Sequence, residues 1–133
     1  VGQGDTIILE SCEYCNSFLN FFPTTAVVLD IDADHLDFFK DLEDVKHSFR
    51  RFADLVPADG LIVANGDDKN TLDALDGLSL VRFGMAETND VYGTNFSEDY
   101  RCFDVVCGGK PYCHLELGVL DGLTEIRSFL RQL

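Results

Sequence analysis

The chain has 133 residues, 46% of them hydrophobic, with mean hydropathy near zero, enough for one domain with a buried core and no disulfide or metal staples. Acidic residues outnumber basic ones 24 to 10, a formal net charge of -14, so a phosphate backbone would meet repulsion over most of the surface, which argues against nucleic acid as a partner. No apolar run approaches the roughly 18 residues of a membrane span and no basic-then-apolar leader opens the chain, so no membrane role and a cytoplasmic location are expected.

The opening Val1-Gly2-Gln3-Gly4-Asp5 is polar and glycine-rich, and Thr6-Ile7-Ile8-Leu9 then reads as a buried strand with Glu10 at its carboxyl end. The five cysteines, Cys12, Cys15, Cys102, Cys107 and Cys113, are an odd number without a secretory signal and are expected to be reduced thiols. Cys12 and Cys15 have C-x-x-C spacing, but a single such pair is a weak metal or redox signal, so they are read as small core or near-site residues. Asn16 to Phe22 is a short helical or irregular bridge closed by Pro23, its phenylalanines expected in the core.

Ala26 to Leu29 is an uninterrupted apolar run, the pattern of a strand buried on both faces of a parallel sheet. It discharges into a loop carrying Asp30, Asp32, Asp34, His35 and Asp37. Ligands of open α/β sheets sit beyond the carboxyl ends of the strands, and carboxylates crowded there repel one another unless a cation or hydrogen bonds offset the charge. If the strands ending at Glu10 and at the acidic loop are neighbours, Glu10 and His35 face one crevice.

Leu42, Val45, Phe49, Phe52, Ala53 and Val56 recur at helical spacing, which predicts an amphipathic crossover helix capped by Asp41 and stopped by Pro57 and Asp59-Gly60. His47 falls on its solvated face. Leu61 to Ala64 is a third buried strand, followed by Asn65-Gly66-Asp67-Asp68 and a short helix to Leu75 that stops at Gly77; Leu78 to Phe83 is a fourth strand. These are βαβ units. From Val91 the pattern changes: Val91 to Phe96, Tyr100 to Cys107 and Tyr112 to Leu117, about the turn Gly108-Gly109, predict a small appended antiparallel sheet. Leu123, Ile126, Phe129, Leu130 and Leu133 space as a final helix. The whole is read as a single α/β domain over 1–133, with a mainly parallel, helix-flanked part to about 88, the antiparallel sheet over about 89–118 and a helix over about 121–133.

Leu9-Glu10-Ser11-Cys12-Glu13-Tyr14-Cys15-Asn16-Ser17-Phe18-Leu19, then Pro23-Thr24, then Asp32-Ala33-Asp34-His35-Leu36-Asp37 and later Asn65-Gly66-Asp67-Asp68 together resemble the central, ATP-binding domain of the Mur ligases of peptidoglycan synthesis. Members carry an E-A-x-E-x-x-x-S-F stretch followed by an E-x-D-H-x-D loop, and the resemblance, strongest to the alanine-adding branch, runs from about Thr6 to Leu117. It implies a P-loop NTPase-like fold. It also implies that Glu10 and His35 hold the magnesium that bridges ATP phosphates and an acyl-phosphate, with Glu13 and Asp34 lining the site and Asp30 and Asp32 beside them. The implied substrates are ATP, UDP-N-acetylmuramate and L-alanine: ATP activates the lactyl carboxylate, and the amine of L-alanine displaces phosphate. An imidazole is an unusual ligand for a hard ion and suits manganese or zinc better, so weak metal binding without nucleotide is expected.

The chain departs from the family pattern in places. The glycine-rich phosphate loop is not found upstream of Glu10, and the only Gly-Lys pair, Gly109-Lys110, is followed by Pro111. Gly118 to Gly122 stands where the family has P-G-x-H-N, Asp30 where asparagine is usual, and Arg50 or Arg51 near the position of a lysine that some members carbamylate. The expectation is a piece of a ligase that folds but does not ligate alone. Two other readings compete. Val27-Val28-Leu29-Asp30-Ile31-Asp32 looks like the D-x-D loop of a haloacid dehalogenase-type phosphatase, with Asp30 as nucleophile, Asp32 as acid and Gly66-Asp67-Asp68 as metal acids; or the acids are the solvated face of a non-catalytic binding module.

Overall fold

The computed structural model describes residues 4–118. Six strands form one sheet in chain order: β1 (Thr25–Val28), β2 (Leu61–Asn65), β3 (Val81–Gly84), β4 (Val91–Thr94), β5 (Cys102–Cys107) and β6 (Lys110–Glu116). Neighbours from β1 to β4 are parallel, and β4, β5 and β6 are antiparallel. A 3-10 helix over Tyr14–Asn20 precedes β1, α1 (Leu42–Ala53) joins β1 to β2, and α2 (Lys69–Ala74) joins β2 to β3. The expected α/β architecture is therefore present. The helix expected over 121–133 lies outside the described residues.

The helices form where the sequence places them. Asp41 caps α1 by accepting from the Asp44 N–H at 3.0 Å, and Glu43 and Asp44 sit in the first turn where the helix dipole favours negative charge. Val45 and Ala53 are buried, with Leu42 and Phe49 packed against the same core; His47 is exposed, as expected. That core joins Val28, Ile62 and Ala64 of the sheet to Ile31, Phe39 and Leu75. Phe18 of the 3-10 helix is buried and stacks on Phe52 with centroids 4.7 Å apart, but Phe21 and Phe22 are exposed. The bridge aromatics are core only in part.

Three expectations about strands are corrected. Thr6 to Leu9 is not a strand: Ile7 is 82% and Ile8 92% exposed, because no described strand pairs with this segment and an apolar run cannot satisfy its own backbone groups. β1 is buried on one face only; Ala26 and Val28 are buried, Val28 in the core with Val45 and Ala53 of α1, while Val27 on the opposite face is 43% exposed. The fourth strand starts at Val81, not Leu78, since Leu78 and Leu80 pack under the helices after the left-handed turn at Gly77 (φ +78°).

The antiparallel strands β4 to β6 are appended to the parallel part as expected, and β4 is the junction: it pairs in parallel with β3 and antiparallel with β5, so the sheet is continuous. Only two rungs are shared, Phe83 with Val91 and Gly84 with Tyr92, so residues 85–90 suffice where a full crossover needs about a dozen. That short connection is held by Asp67, whose carboxylate accepts from the N–H groups of Met85 and Ala86 and from Asn89 Nδ2 at 2.7 Å. Gly84 permits this: a Cβ there would lie 2.5 Å from both Asp67 Oδ2 and Asn89 Nδ2. The β5–β6 hairpin turns at Gly108 and Gly109, both with positive φ, as their sequence predicts.

Candidate functional site

The acidic loop leaves β1 and is pinned at Ile31. Asp68 Oδ2 accepts from the Ile31 N–H at 3.2 Å, and Asn70 Nδ2 donates to the Ile31 carbonyl at 2.9 Å. The same Asp68 oxygen caps α2 through the Thr71 N–H at 2.8 Å and accepts from the Thr71 hydroxyl at 2.6 Å. Asn65-Gly66-Asp67-Asp68 is therefore a clamp, with Asp67 holding residues 85–90 and Asp68 the acidic loop. Both carboxylates are engaged by backbone N–H groups and are not the open metal acids a phosphatase would need.

Beyond Ile31, Asp32 Oδ1 accepts from the Ala33 N–H at 2.7 Å and the Asp32 carbonyl accepts from the Asp34 N–H at 2.8 Å. His35 then takes up left-handed backbone (φ +53°), and its carbonyl accepts from the Phe38 and Phe39 N–H groups, each at 2.9 Å. Buried Phe39 fixes this turn to the core. The strained conformation at a non-glycine residue is the kind found at functional sites and costs about 1–3 kcal/mol.

The segment before the 3-10 helix closes on this turn. His35 Nε2 lies 3.6 Å from Glu13 Oε1, both side chains half-buried. Tyr14 lays its ring 4.8 Å from the imidazole, and its hydroxyl donates to Asp37 Oδ2 at 3.0 Å. That donated bond raises the Tyr14 phenol above its ordinary value, since ionising it would put two negative charges side by side. Cys12 Sγ accepts from the Tyr14 N–H at 3.4 Å, and the Cys12 carbonyl from Ser17 Oγ at 2.7 Å. The Ser48 hydroxyl, buried on α1, donates to Asn16 Oδ1 and ties the 3-10 helix to the core.

The structure thus brings His35 and Glu13 together, and adds Cys12: ligand atoms of these three lie within 4.8 Å of one another, the one group of at least three potential metal ligands among the described residues. Glu10 is exposed on the irregular segment and outside that group; Asp30, Asp32 and Asp34 are exposed on the loop and also outside it. The sequence pairs Cys12 with Cys15 by C-x-x-C spacing; the fold instead brings Cys12 Sγ within 4.8 Å of ligand atoms of His35 and Glu13.

Set against magnesium, the group fits in part. The Glu13 carboxylate suits a hard ion, and the Ser11 hydroxyl, next to Cys12 in the chain, is buried with no hydrogen-bond partner among the described residues. The thiol and imidazole suit a softer one.

The sequence profile of the Mur ligase middle domain matches residues 3–118. A UDP-N-acetylmuramate--L-alanine ligase of Caldanaerobacter subterraneus subsp. tengcongensis is 41% identical over 124 residues, 90% of this chain and 27% of that protein. One from Clostridium botulinum strain Hall has the same identity and coverage. The chain thus spans about a quarter of the length of the curated relatives it matches. Among solved structures, the UDP-N-acetylmuramate:L-alanyl-gamma-D-glutamyl-meso-diaminopimelate ligase of Neisseria meningitides superposes with TM-score 0.71 at 26% identity over 86% of this chain and 35% of that one. A murein peptide ligase of Psychrobacter arcticus gives 0.67 at 19%, over 86% and 24%, and shares the fold. These likenesses support the ligase reading and not the phosphatase one. With a profile match over all the described residues and relatives at 41% identity, the chain belongs to the Mur ligase family, whose middle domain it represents.

Proposed function

We propose that the chain is the middle segment of an ATP-dependent ligase that joins L-alanine to UDP-N-acetylmuramate through an acyl-phosphate in peptidoglycan synthesis. The observation that carries this reading is the meeting of the two family motifs, seen in the 3.6 Å approach of His35 to Glu13. The 41% identity to alanine-adding relatives favours that substrate over a preformed peptide.

In this reading Glu10 and His35 hold magnesium, and Glu13, Asp34, Asp30 and Asp32 line the site. The ion, when bound, offsets the charge on the phosphoryl oxygens. An amine cannot displace oxide from a carboxylate, so the carboxylate must first become a mixed anhydride with phosphate. The chain's own part is positional: Asp68 and Asn70 fix Ile31, the turn at His35 sets the imidazole, and Tyr14 bars one side of the ring. With a net charge of -14 and a loop of acids, nucleotide phosphates need cations from metal and from outside these residues. The reading puts the protein in the cytoplasm with its nucleotide substrates; among the described residues no helix is long and apolar enough to cross a membrane.

A graft tests this. Residues 4–118 are placed into the Caldanaerobacter relative in place of its matching segment, and ADP release dependent on both UDP-N-acetylmuramate and L-alanine is measured. Turnover that falls at least a hundredfold in both Glu10→Gln and His35→Ala is expected, a loss of roughly 2.7 kcal/mol in transition-state stabilisation. A folded, active graft indifferent to both substitutions would contradict it.

A further inference from the structure

We propose that Cys12, Glu13 and His35 form a binding site for a borderline divalent transition metal, zinc above all, which shares only His35 with the magnesium contacts of the ligase reading. Three chemically distinct ligands converge from two segments more than twenty positions apart, with donor atoms within 4.8 Å of one another. Zinc bonds of about 2.0–2.3 Å in a tetrahedron set donors about 3.5 Å apart. The widest pair therefore has to draw in by roughly 1 Å, within reach of side-chain rotation; His35 and Glu13, at 3.6 Å, already stand at that separation.

The surroundings prepare these donors. The Tyr14 N–H donates to Cys12 Sγ at 3.4 Å and so orients the sulfur. The His35 turn is fixed by its doubly accepting carbonyl, and its ring by Tyr14. Cys12 is exposed and the other two half-buried, so an ion enters from solvent and keeps a fourth position for water. On binding, the thiol proton leaves to solvent, and one thiolate and one carboxylate with a neutral imidazole cancel the charge of the divalent ion, in strongly acidic surroundings. Thiolate and imidazole select zinc over magnesium, which takes oxygen donors.

The consequence is competition for one imidazole. Zinc on Cys12, Glu13 and His35 withholds His35 from any magnesium contact, so low zinc would inhibit a magnesium-dependent reaction at this site and removal of the thiol would relieve the inhibition.

Cobalt(II) serves as the spectroscopic probe, titrated into the chain kept reduced with a phosphine. Binding is expected to give a thiolate-to-cobalt charge-transfer band and intense tetrahedral visible bands, displaced by equimolar zinc and not by excess magnesium. The band should vanish in Cys12→Ser, weaken more than about tenfold in affinity in Glu13→Gln and His35→Ala, and persist in Cys15→Ser and Glu10→Gln. Absence of the band in the unsubstituted chain, or its persistence in Cys12→Ser, would overturn the proposal, as would its loss in Cys15→Ser. Should Cys12→Ser not fold, the unsubstituted chain still decides: zinc must protect Cys12 from alkylation, read by mass spectrometry, and equal labelling with and without zinc overturns the site. Glu10→Gln separates this from the ligase reading, since it should abolish turnover of the graft while leaving the cobalt band intact.

Discussion

Asp68 Oδ2 and the backbone N–H of Ile31, 37 positions apart in the chain, are joined at 3.2 Å, so the cap of one short helix is also the anchor of the loop that carries His35. Helix capping and site geometry are thereby one interaction. Asp68→Ala is expected to cost about 1–2 kcal/mol of stability by urea unfolding and to speed amide exchange at Ile31. Asp68→Asn, which keeps an acceptor oxygen, should cost less.

Asn89 is buried and donates to both Asp67 and the Ala86 carbonyl, holding the turn that makes β4 parallel to β3. Asn89→Ala removes the side-chain donor to the Ala86 carbonyl and one of the donors to Asp67, at about 1–3 kcal/mol. The loss should appear as a lower urea midpoint and as faster exchange across the Gly84–Tyr92 rung, with α1 protection changed least.

The hairpin carries a pH-sensitive pair. Asp104 accepts from Asn95 Nδ2 at 2.8 Å and lies 2.6 Å from His114 Nδ1, and these bonds, that from Asn95 first, hold its carboxyl below the usual range. A depressed folded value means that the contribution is fully present above the ordinary aspartate pKa of about 3.9 and is lost as pH falls through the depressed one. Carboxyl NMR titration should show Asp104 moving up toward the ordinary value in Asn95→Ala.

Tyr14 titrates in the opposite sense. Its phenol is raised by donation to Asp37, so the stability this bond lends is present below the ordinary tyrosine value of about 10 and fades as pH rises through the higher folded one. Absorbance titration of Asp37→Asn should bring Tyr14 back down.

How much was legible follows from where each determinant lies. α1 could be read because its period and Asp41 cap are local, and the hairpin because Gly108-Gly109 demands positive φ. Thr6 to Leu9 and Val27 misled because apolar composition does not say whether a neighbour covers it. The direction of β4 rests on Asp67 and Asn89, a bond across 22 positions that no strand pattern encodes. At the site, the two motifs drew attention to Glu10 and His35, and the fold sets Glu13 rather than Glu10 in the group around His35. Glu13 was expected only as a lining group, and the approach of Cys12 to the imidazole is set by the fold across more than twenty positions, which C-x-x-C spacing does not encode.

The central claim is that the segment around Glu10 to Tyr14 and the turn at His35 make one cation site. Titrating manganese(II) into isotope-labelled chain and following paramagnetic broadening of the amides tests it most directly. Broadening confined at low manganese to residues 10–14 and 34–37, and abolished in His35→Ala, is predicted. Broadening spread evenly over the acidic surface, or unchanged by His35→Ala, would contradict the account and favour a merely solvated acidic face.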